Sequence, residues 1–338
     1  MERNDTEFER KVKAFIAEWN NTDERVLVHT SGSTGKPRPM WASKRQMMNS
    51  ARMTCDFLHL QPDDTALLCL PVEYIAGKMM VVRAMVRQLR LVTVSPQSHP
   101  LASLDTAPTF AAMVPMQVAA SMDNAHDLML LRNIRHLIIG GGAIDPAMEA
   151  RLKDFPHDVW STYGMTETLS HIALRKLNGR DADNYYTPFD HVNITTDHRG
   201  CLVVDAPMVS DSRLVTNDLV EIHADGRRFR IIGRVDNVIV SGGVKIHIEE
   251  VEERLQGRVG LPFVITKRHD ERLGEMVVML VQSTQTEAVR RCCEECLPTY
   301  WRPRLYISVD RIPLTETGKP ARREAERIAN EHWQEQPR

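Results

Sequence analysis

Several features are missing from this sequence of 338 residues, and each absence closes off a class of protein. No apolar run approaches the roughly 20 residues that a bilayer-spanning helix needs. The basic excess of a nucleic-acid binder is absent, since 43 Lys and Arg stand against 45 Asp and Glu for a net charge of −2. The opening Met1-Glu2-Arg3-Asn4-Asp5 is charged and has no apolar leader core, so a cytoplasmic location is expected. Cysteine is sparse: Cys55, Cys69 and Cys201 are scattered, and only Cys292, Cys293 and Cys296 cluster. That distribution is no disulfide framework. The cluster also lacks a second Cys/His pair at metal spacing and sits in a helix-like stretch, so its thiols are expected to act as small apolar groups. No internal repeat is evident. What remains is a composition of 42% hydrophobic and 26% charged residues, enough for two or three domains with their own cores.

Against that plain background one stretch stands out, Thr30-Ser31-Gly32-Ser33-Thr34-Gly35-Lys36-Pro37, directly after the apolar run Val26-Leu27-Val28. Glycines let successive backbone N–H groups turn into one concavity, hydroxyls add donors and Lys36 adds positive charge, which together suit a phosphate. Two residues separate Gly32 from Gly35-Lys36, where the Walker loop needs four. It is therefore a phosphate loop of another kind, and taken alone it has a plain alternative as a Ser/Gly-rich linker.

Phe8, Val12, Phe15, Ile16 and Trp19 recur at helical spacing and predict an amphipathic helix over residues 5–20. Strands are expected at 26–30, 66–70, 91–94, 109–114 and 136–139, with helices at 43–59 and 77–89 between them. The alternation implies an α/β body with a mostly parallel sheet and ligand sites at the strands' carboxyl ends. Gly140-Gly141-Gly142 lies at such an end, and Asp145-Pro146 starts a helix as N-cap and first helical residue. From about residue 188 short alternating strands predict a β-rich subdomain, with a hairpin at Asp225-Gly226. Helices at 249–255 and 287–296 with strands at 263–267 and 276–282 then form a final segment, and the domain boundary is placed at Asp236.

Four further stretches carry chemistry. Trp160-Ser161-Thr162-Tyr163-Gly164-Met165-Thr166-Glu167-Thr168 combines a ring for stacking, hydroxyls for phosphate oxygens and a carboxylate for Mg²⁺. Asp218 and Arg234 could grip ribose or phosphate, and Lys319 stands on a turn near the C-terminus. Each has a simpler reading alone: Glu167 as a surface carboxylate, Asp218 as a turn residue, Lys319 as a solvated charge.

Their joint order resembles the adenylate-forming superfamily of acyl-CoA synthetases, nonribosomal adenylation domains and luciferases. The resemblance runs from about Val26 to Lys319. It implies a large N-terminal α/β domain with a β-rich subdomain (residues 1–235) and a small, mobile α+β C-terminal domain (236–338). It also implies an enzyme that joins a small-molecule carboxylate to AMP from ATP and then to coenzyme A. By the same resemblance, Thr30, Ser31, Gly32, Ser33, Thr34, Gly35 and Lys36 hold the departing phosphates. Gly141, Gly142, Ala143, Tyr163 and Gly164 line the nucleotide and acyl pocket, Thr166 contacts the α-phosphate and Glu167 binds Mg²⁺. Asp218 and Arg234 hold ribose, Lys319 bridges carboxylate and phosphate, and Asp236 is the hinge. Rotation about that hinge would bring the turn at Gly242 and Gly243 toward the site, where missing side chains let a pantetheine arm pass.

Two departures qualify the resemblance. Only 29 residues precede Thr30, far fewer than is usual in the superfamily, so part of the first subdomain is expected to be absent. Tyr74, in Pro71-Val72-Glu73-Tyr74-Ile75-Ala76-Gly77, stands where a gating histidine is common. Arg83, six positions after Gly77, makes the stretch most similar to o-succinylbenzoate–CoA ligases of menaquinone biosynthesis. A guanidinium there suits the second, unactivated carboxylate of that substrate; the alternative places Arg83 with Arg87 and Arg90 on a solvent face. Two other functions remain compatible: a stand-alone adenylation enzyme loading a carrier protein, and a non-catalytic nucleotide-binding regulator. A homodimer is compatible with all three.

Overall fold

The computed structural model describes residues 5–29, 39–142, 144–315 and 320–332. Its centre is a seven-stranded sheet whose order is Arg90–Thr93, Thr65–Leu68, Phe110–Met113, His136–Ile139, Asp158–Gly164, His171–Lys176 and Thr187–Pro188. The first five strands are parallel and the last two antiparallel. The central strands are apolar on both faces. Ala66, Leu68, Phe110 and Ala112 pack into one core with the helices Glu7–Trp19, Lys44–Phe57 and Ile75–Arg87. Leu67, Cys69, Ala111 and Met113 pack into a second core with Pro115–Met122, Ala125–Asn133 and Pro146–Leu152. A two-residue side-chain period within buried strands is what assigns neighbours to opposite layers.

The order in which strands are added reverses at the Thr65–Leu68 strand. The next strand, Arg90–Thr93, lies on one side of it, and the chain then crosses to place Phe110–Met113 on the other. Ligand crevices of open parallel sheets form outside the carboxyl ends at such a reversal. Here the buried Gln117 side chain ties the two ends together, donating to the Cys69 and Gln97 carbonyls at 3.1 Å and accepting from the Val114 N–H at 3.2 Å.

Helix starts follow the local sequence. Thr6 and Glu9 form a reciprocal capping box, and Asp145 accepts from the Met148 N–H at 2.8 Å with Pro146 in the first turn. Thr6 thus fixes the helix that lays Phe8, Val12 and Phe15 against the body.

Asn193–Thr196, Cys201–Asp205, Leu214–Ile222 and Phe229–Arg234 make a four-stranded antiparallel sheet in chain order. Asp225-Gly226 turns its last hairpin, with Gly226 at φ +69°. Beyond Asp236, Val244–His247, Val238–Ser241, Gly274–Val281 and Phe263–Asp270 pair in that order, and Leu305–Ser308 runs parallel to Gly274–Val281. This sheet has cores of its own on each face, one around Ile239, Val251 and Met279 and one around Val278, Leu280, Ala325 and Ala329. The expected strands and helices are present. Among the elements not anticipated are the strands Pro39–Ser43, Asp158–Gly164, His171–Lys176 and Leu305–Ser308 and the helices Ala125–Asn133 and Arg322–Glu331. No helix among the described residues is long and apolar enough to cross a membrane.

Candidate active site

The penultimate residue of the strand Asp158–Gly164 is Tyr163, whose buried ring packs edge-on against Phe229 with centroids 5.1 Å apart. Its hydroxyl donates to Asp218 Oδ2 at 2.6 Å. Burial and the adjoining carboxylate both push the phenol upward, so it is a fixed donor at neutral pH. Arg234 donates to the other oxygen of Asp218 at 2.8 Å. Asp218 and Arg234 are register partners on the strands Leu214–Ile222 and Phe229–Arg234. Asp218 therefore lies inside a strand rather than just before one, because pairing carries the strand back past the polar Thr216 and Asn217 to Leu214. Arg234 reaches further to Asp236 Oδ2 at 3.0 Å, and Asn217 donates to both oxygens of Asp236 at 3.1 and 3.3 Å. Tyr163, Asp218, Arg234, Asp236 and Asn217 thus form one continuous network.

Gly164 has a packing role of its own. A Cβ there would stand 2.4 Å from the Ser170 carbonyl oxygen and the His171 Cα, so the neighbouring backbone can approach only a glycine. The chain then makes a single 3-10 turn over Thr166–Thr168, closed by the Thr168 hydroxyl. Thr166 is buried and Glu167 projects into solvent. Gly140 and Gly141 follow the neighbouring strand: Gly140 faces Thr162 closely and Gly141 adopts φ +81°. Gly142 sits against Pro115. Ala143, the loop Thr30 to Lys36, and Lys319 lie outside the described residues. Residues flanking two of these are held. His29 bridges Tyr74 at the start of the Ile75–Arg87 helix. Leu314 bridges Pro320, and the Ala321 N–H donates to the Pro313 carbonyl at 2.9 Å.

On the Ile75–Arg87 helix, Gly77 presses on the preceding turn, where a Cβ would meet the Pro71 carbonyl oxygen at 2.3 Å. Arg83 is only 2% exposed, which rules out the solvent-face alternative for it; Arg87 instead pairs with Asp56 at the surface. The Arg83 guanidinium donates to Ser170 Oγ at 2.5 Å and lies 3.7 Å from Met80 Sδ, and its Nε has no partner. No carboxylate among the described residues pairs with it. Burial pushes its pKa down to about 10, so it stays charged at neutral pH. Lys78 turns the other way, its ammonium 4.1 Å from the Phe15 ring centre and 3.7 Å from Glu18. Beneath Arg83, Ser170 contacts His171 Nδ1 at 3.2 Å and His171 Nε2 contacts Thr54 Oγ1 at 3.1 Å. Sequence reasoning missed Ser170, His171, Thr54 and Gln117. The signal was slight, since Ser170 is 87 positions from the arginine it meets. At the far side, Gly242 and Gly243 form the turn between Val238–Ser241 and Val244–His247, with φ of +58° and +84°.

The carboxylate–guanidinium–phenol cluster of Asp218, Arg234 and Tyr163 thus sits where the last parallel strand of the large sheet meets the antiparallel one. The chain belongs to the AMP-binding enzyme family, whose model matches residues 2–207. A solved acyl-CoA synthetase (AMP-forming)/AMP-acid ligase II-like protein from Dyadobacter fermentans is 34% identical, with a TM-score of 0.67, covering 96% of this chain and 95% of that one. The 2-succinylbenzoate–CoA ligase of Bacillus cytotoxicus is 25% identical over 93% of this chain and 72% of its own length. O-succinylbenzoate coenzyme A synthetase from Bacillus subtilis, solved with ATP and magnesium ion, shares the fold at a TM-score of 0.73 and 21% identity, over 88% of this chain and 69% of that one.

Proposed function

We propose that this enzyme is an AMP-forming acid–CoA ligase acting on o-succinylbenzoate. The observation that carries the substrate class is Arg83, a buried guanidinium with no anionic partner among the described residues. Burying an unpaired charge is costly, and a ligand carboxylate offsets that cost. The similarity to 2-succinylbenzoate–CoA ligases supports the particular dicarboxylate.

In the first half-reaction an oxygen of the succinyl carboxylate attacks the α-phosphorus of ATP. The bond to the bridging oxygen breaks and pyrophosphate leaves. In the second, the thiol sulfur of coenzyme A attacks the acyl carbon, loses its proton and expels AMP. Asp218 holds the ribose diol: Tyr163 and Arg234 occupy two of its acceptor positions, leaving others for sugar hydroxyls. Ser31 to Lys36 receive the β- and γ-phosphates, Thr166 the α-phosphate, and Lys319 the negative charge that builds between carboxylate and phosphorus. Gly141, Gly142 and Ala143 leave room for the base. Tyr74 and Gly77 shape the acyl entrance.

Among the described residues no three metal-ligating side chains gather, which fits an ion carried mainly by nucleotide phosphates and one exposed carboxylate, Glu167. Bound there, Mg²⁺ would neutralise phosphate charge. Residues 1–235 would bind nucleotide and acid. Residues 236–338 would turn about Asp236, replacing Lys319 by the Gly242-Gly243 turn for passage of the pantetheine arm.

Pyrophosphate release measured with ATP, Mg²⁺ and a panel of carboxylates tests the reading. The expected result is a strong preference for o-succinylbenzoate over its analogue lacking the aryl carboxylate. No preference would defeat it.

A further inference from the structure

The buried arginine is oriented by a chain of four neutral groups whose hydrogens can be assigned one by one. Arg83 can only donate, so Ser170 Oγ accepts from it at 2.5 Å. At the other end, the Ser50 carbonyl, which can only accept, stands 3.1 Å from the Thr54 hydroxyl, and the arrangement in which both hydroxyls donate and accept places the single Thr54 proton there. Toward His171 Nε2, also at 3.1 Å, that hydroxyl can therefore only accept, and Nε2 must carry hydrogen. With the ring neutral, Nδ1 presents a lone pair, and the Ser170 hydroxyl at 3.2 Å donates to it. Every hydroxyl in the chain then donates once and accepts once.

Neutrality of the ring follows from its surroundings. His171 is buried against Phe189, with ring centres 5.5 Å apart, and faces the Arg83 charge. Burial, reinforced by that charge, holds its pKa well below the ordinary histidine value.

We propose that Thr54 and His171 are positioning residues for Arg83: by fixing the Nε2–H tautomer, Thr54 turns the Ser170 hydroxyl hydrogen onto Nδ1 and its lone pairs toward the guanidinium, which aims Arg83 at the substrate's free carboxylate. This rests on the reading that Arg83 binds that carboxylate. The physical advantage is specific. A carboxylate in place of Ser170 would orient the arginine equally well but neutralise it and compete with the ligand. A relay of hydroxyl and imidazole fixes direction while leaving the charge unspent.

The test compares kcat/KM for o-succinylbenzoate and for 4-oxo-4-phenylbutanoate, the same acid without its aryl carboxylate. Thr54→Val keeps shape but removes the acceptor. It should lower the dicarboxylate preference about fivefold, mainly through KM for the dicarboxylate, with KM for ATP changing much less. Thr54→Ser should restore it. In ¹⁵N-histidine spectra of the wild-type enzyme at neutral pH, assigned by loss of a signal in His171→Gln, the ring should be the neutral Nε2–H form. An Nδ1–H or protonated ring overturns the proposal even if Thr54→Val does not fold. So does an unchanged preference in folded Thr54→Val when Arg83→Met has lost it, and in that case the substrate reading stands. A wild-type enzyme with no preference for the dicarboxylate overturns both.

Discussion

The Tyr163 hydroxyl and the Asp218 carboxylate meet at 2.6 Å across 55 positions of sequence, joining the large sheet to the small antiparallel one. That bond turns a lone aspartate on a strand into an oriented acceptor, because one oxygen is fixed by the phenol and the other by Arg234. Both partners donate, so lone pairs remain for further donors, and the two hydroxyls of a ribose diol would suit them.

Asp218→Asn puts an amide where two donors already point. Calorimetric titration with AMP should show affinity reduced about 10- to 100-fold, the range for hydrogen bonds to a charged acceptor. KM for the carboxylic acid should change little. Unaltered AMP binding would remove Asp218 from the nucleotide site.

Arg83→Met separates stability from function. Removing a buried charge that has no carboxylate partner should leave the fold unharmed or stabilise it by about 1 kcal/mol, raising Tm by about 2–4 °C. The same change should raise KM for o-succinylbenzoate at least tenfold. A large fall in Tm would mean that Arg83 is a structural residue.

His171 makes a pH prediction of defined sign. Its folded pKa lies below the unfolded value near 6.5, so the unfolded chain binds the extra proton first. Its contribution is complete above about pH 6.5 and is lost as pH falls toward the folded pKa. Urea midpoints of the wild type should therefore drop on acidification more steeply than those of His171→Gln. The difference is bounded by about 1.4 kcal/mol per pH unit for one proton. Parallel profiles would show that the ring is not held neutral.

Arg322 anchors the chain just beyond the segment that contains Lys319. It forms a two-pronged pair with Glu252 at 2.6 and 2.5 Å and donates to the Ile265 carbonyl at 3.0 Å. Arg322→Met should slow pyrophosphate release more than thioester formation from supplied acyl-adenylate, as Lys319→Ala should do far more strongly. Equal loss in both half-reactions would argue against the role given to Lys319.

Much of the layout was legible because it is local. Apolar period, the Asp145-Pro146 helix start and the Asp225-Gly226 turn each act within a few residues, and the elements they imply are present. The residues Tyr163, Asp218 and Arg234 were legible as a set from their order along the chain, and the structure brings them together. What sequence could not supply was the direction of single side chains. Lys78 and Arg83 lie five positions apart on one helix, yet one reaches Glu18 and an aromatic ring while the other is buried against Ser170. Gly164 shows the same limit: its closest neighbours are Ser170 and His171 on the adjoining backbone, a contact made by pairing and invisible in its own motif.

The most direct measurement is a crystal structure of the enzyme with AMP and o-succinylbenzoate. The account predicts ribose hydroxyls within hydrogen-bond distance of Asp218 and the aryl carboxylate drawn to the Arg83 guanidinium. A nucleotide bound elsewhere, with Asp218 still joined only to Tyr163 and Arg234 and the acid remote from Arg83, would contradict it.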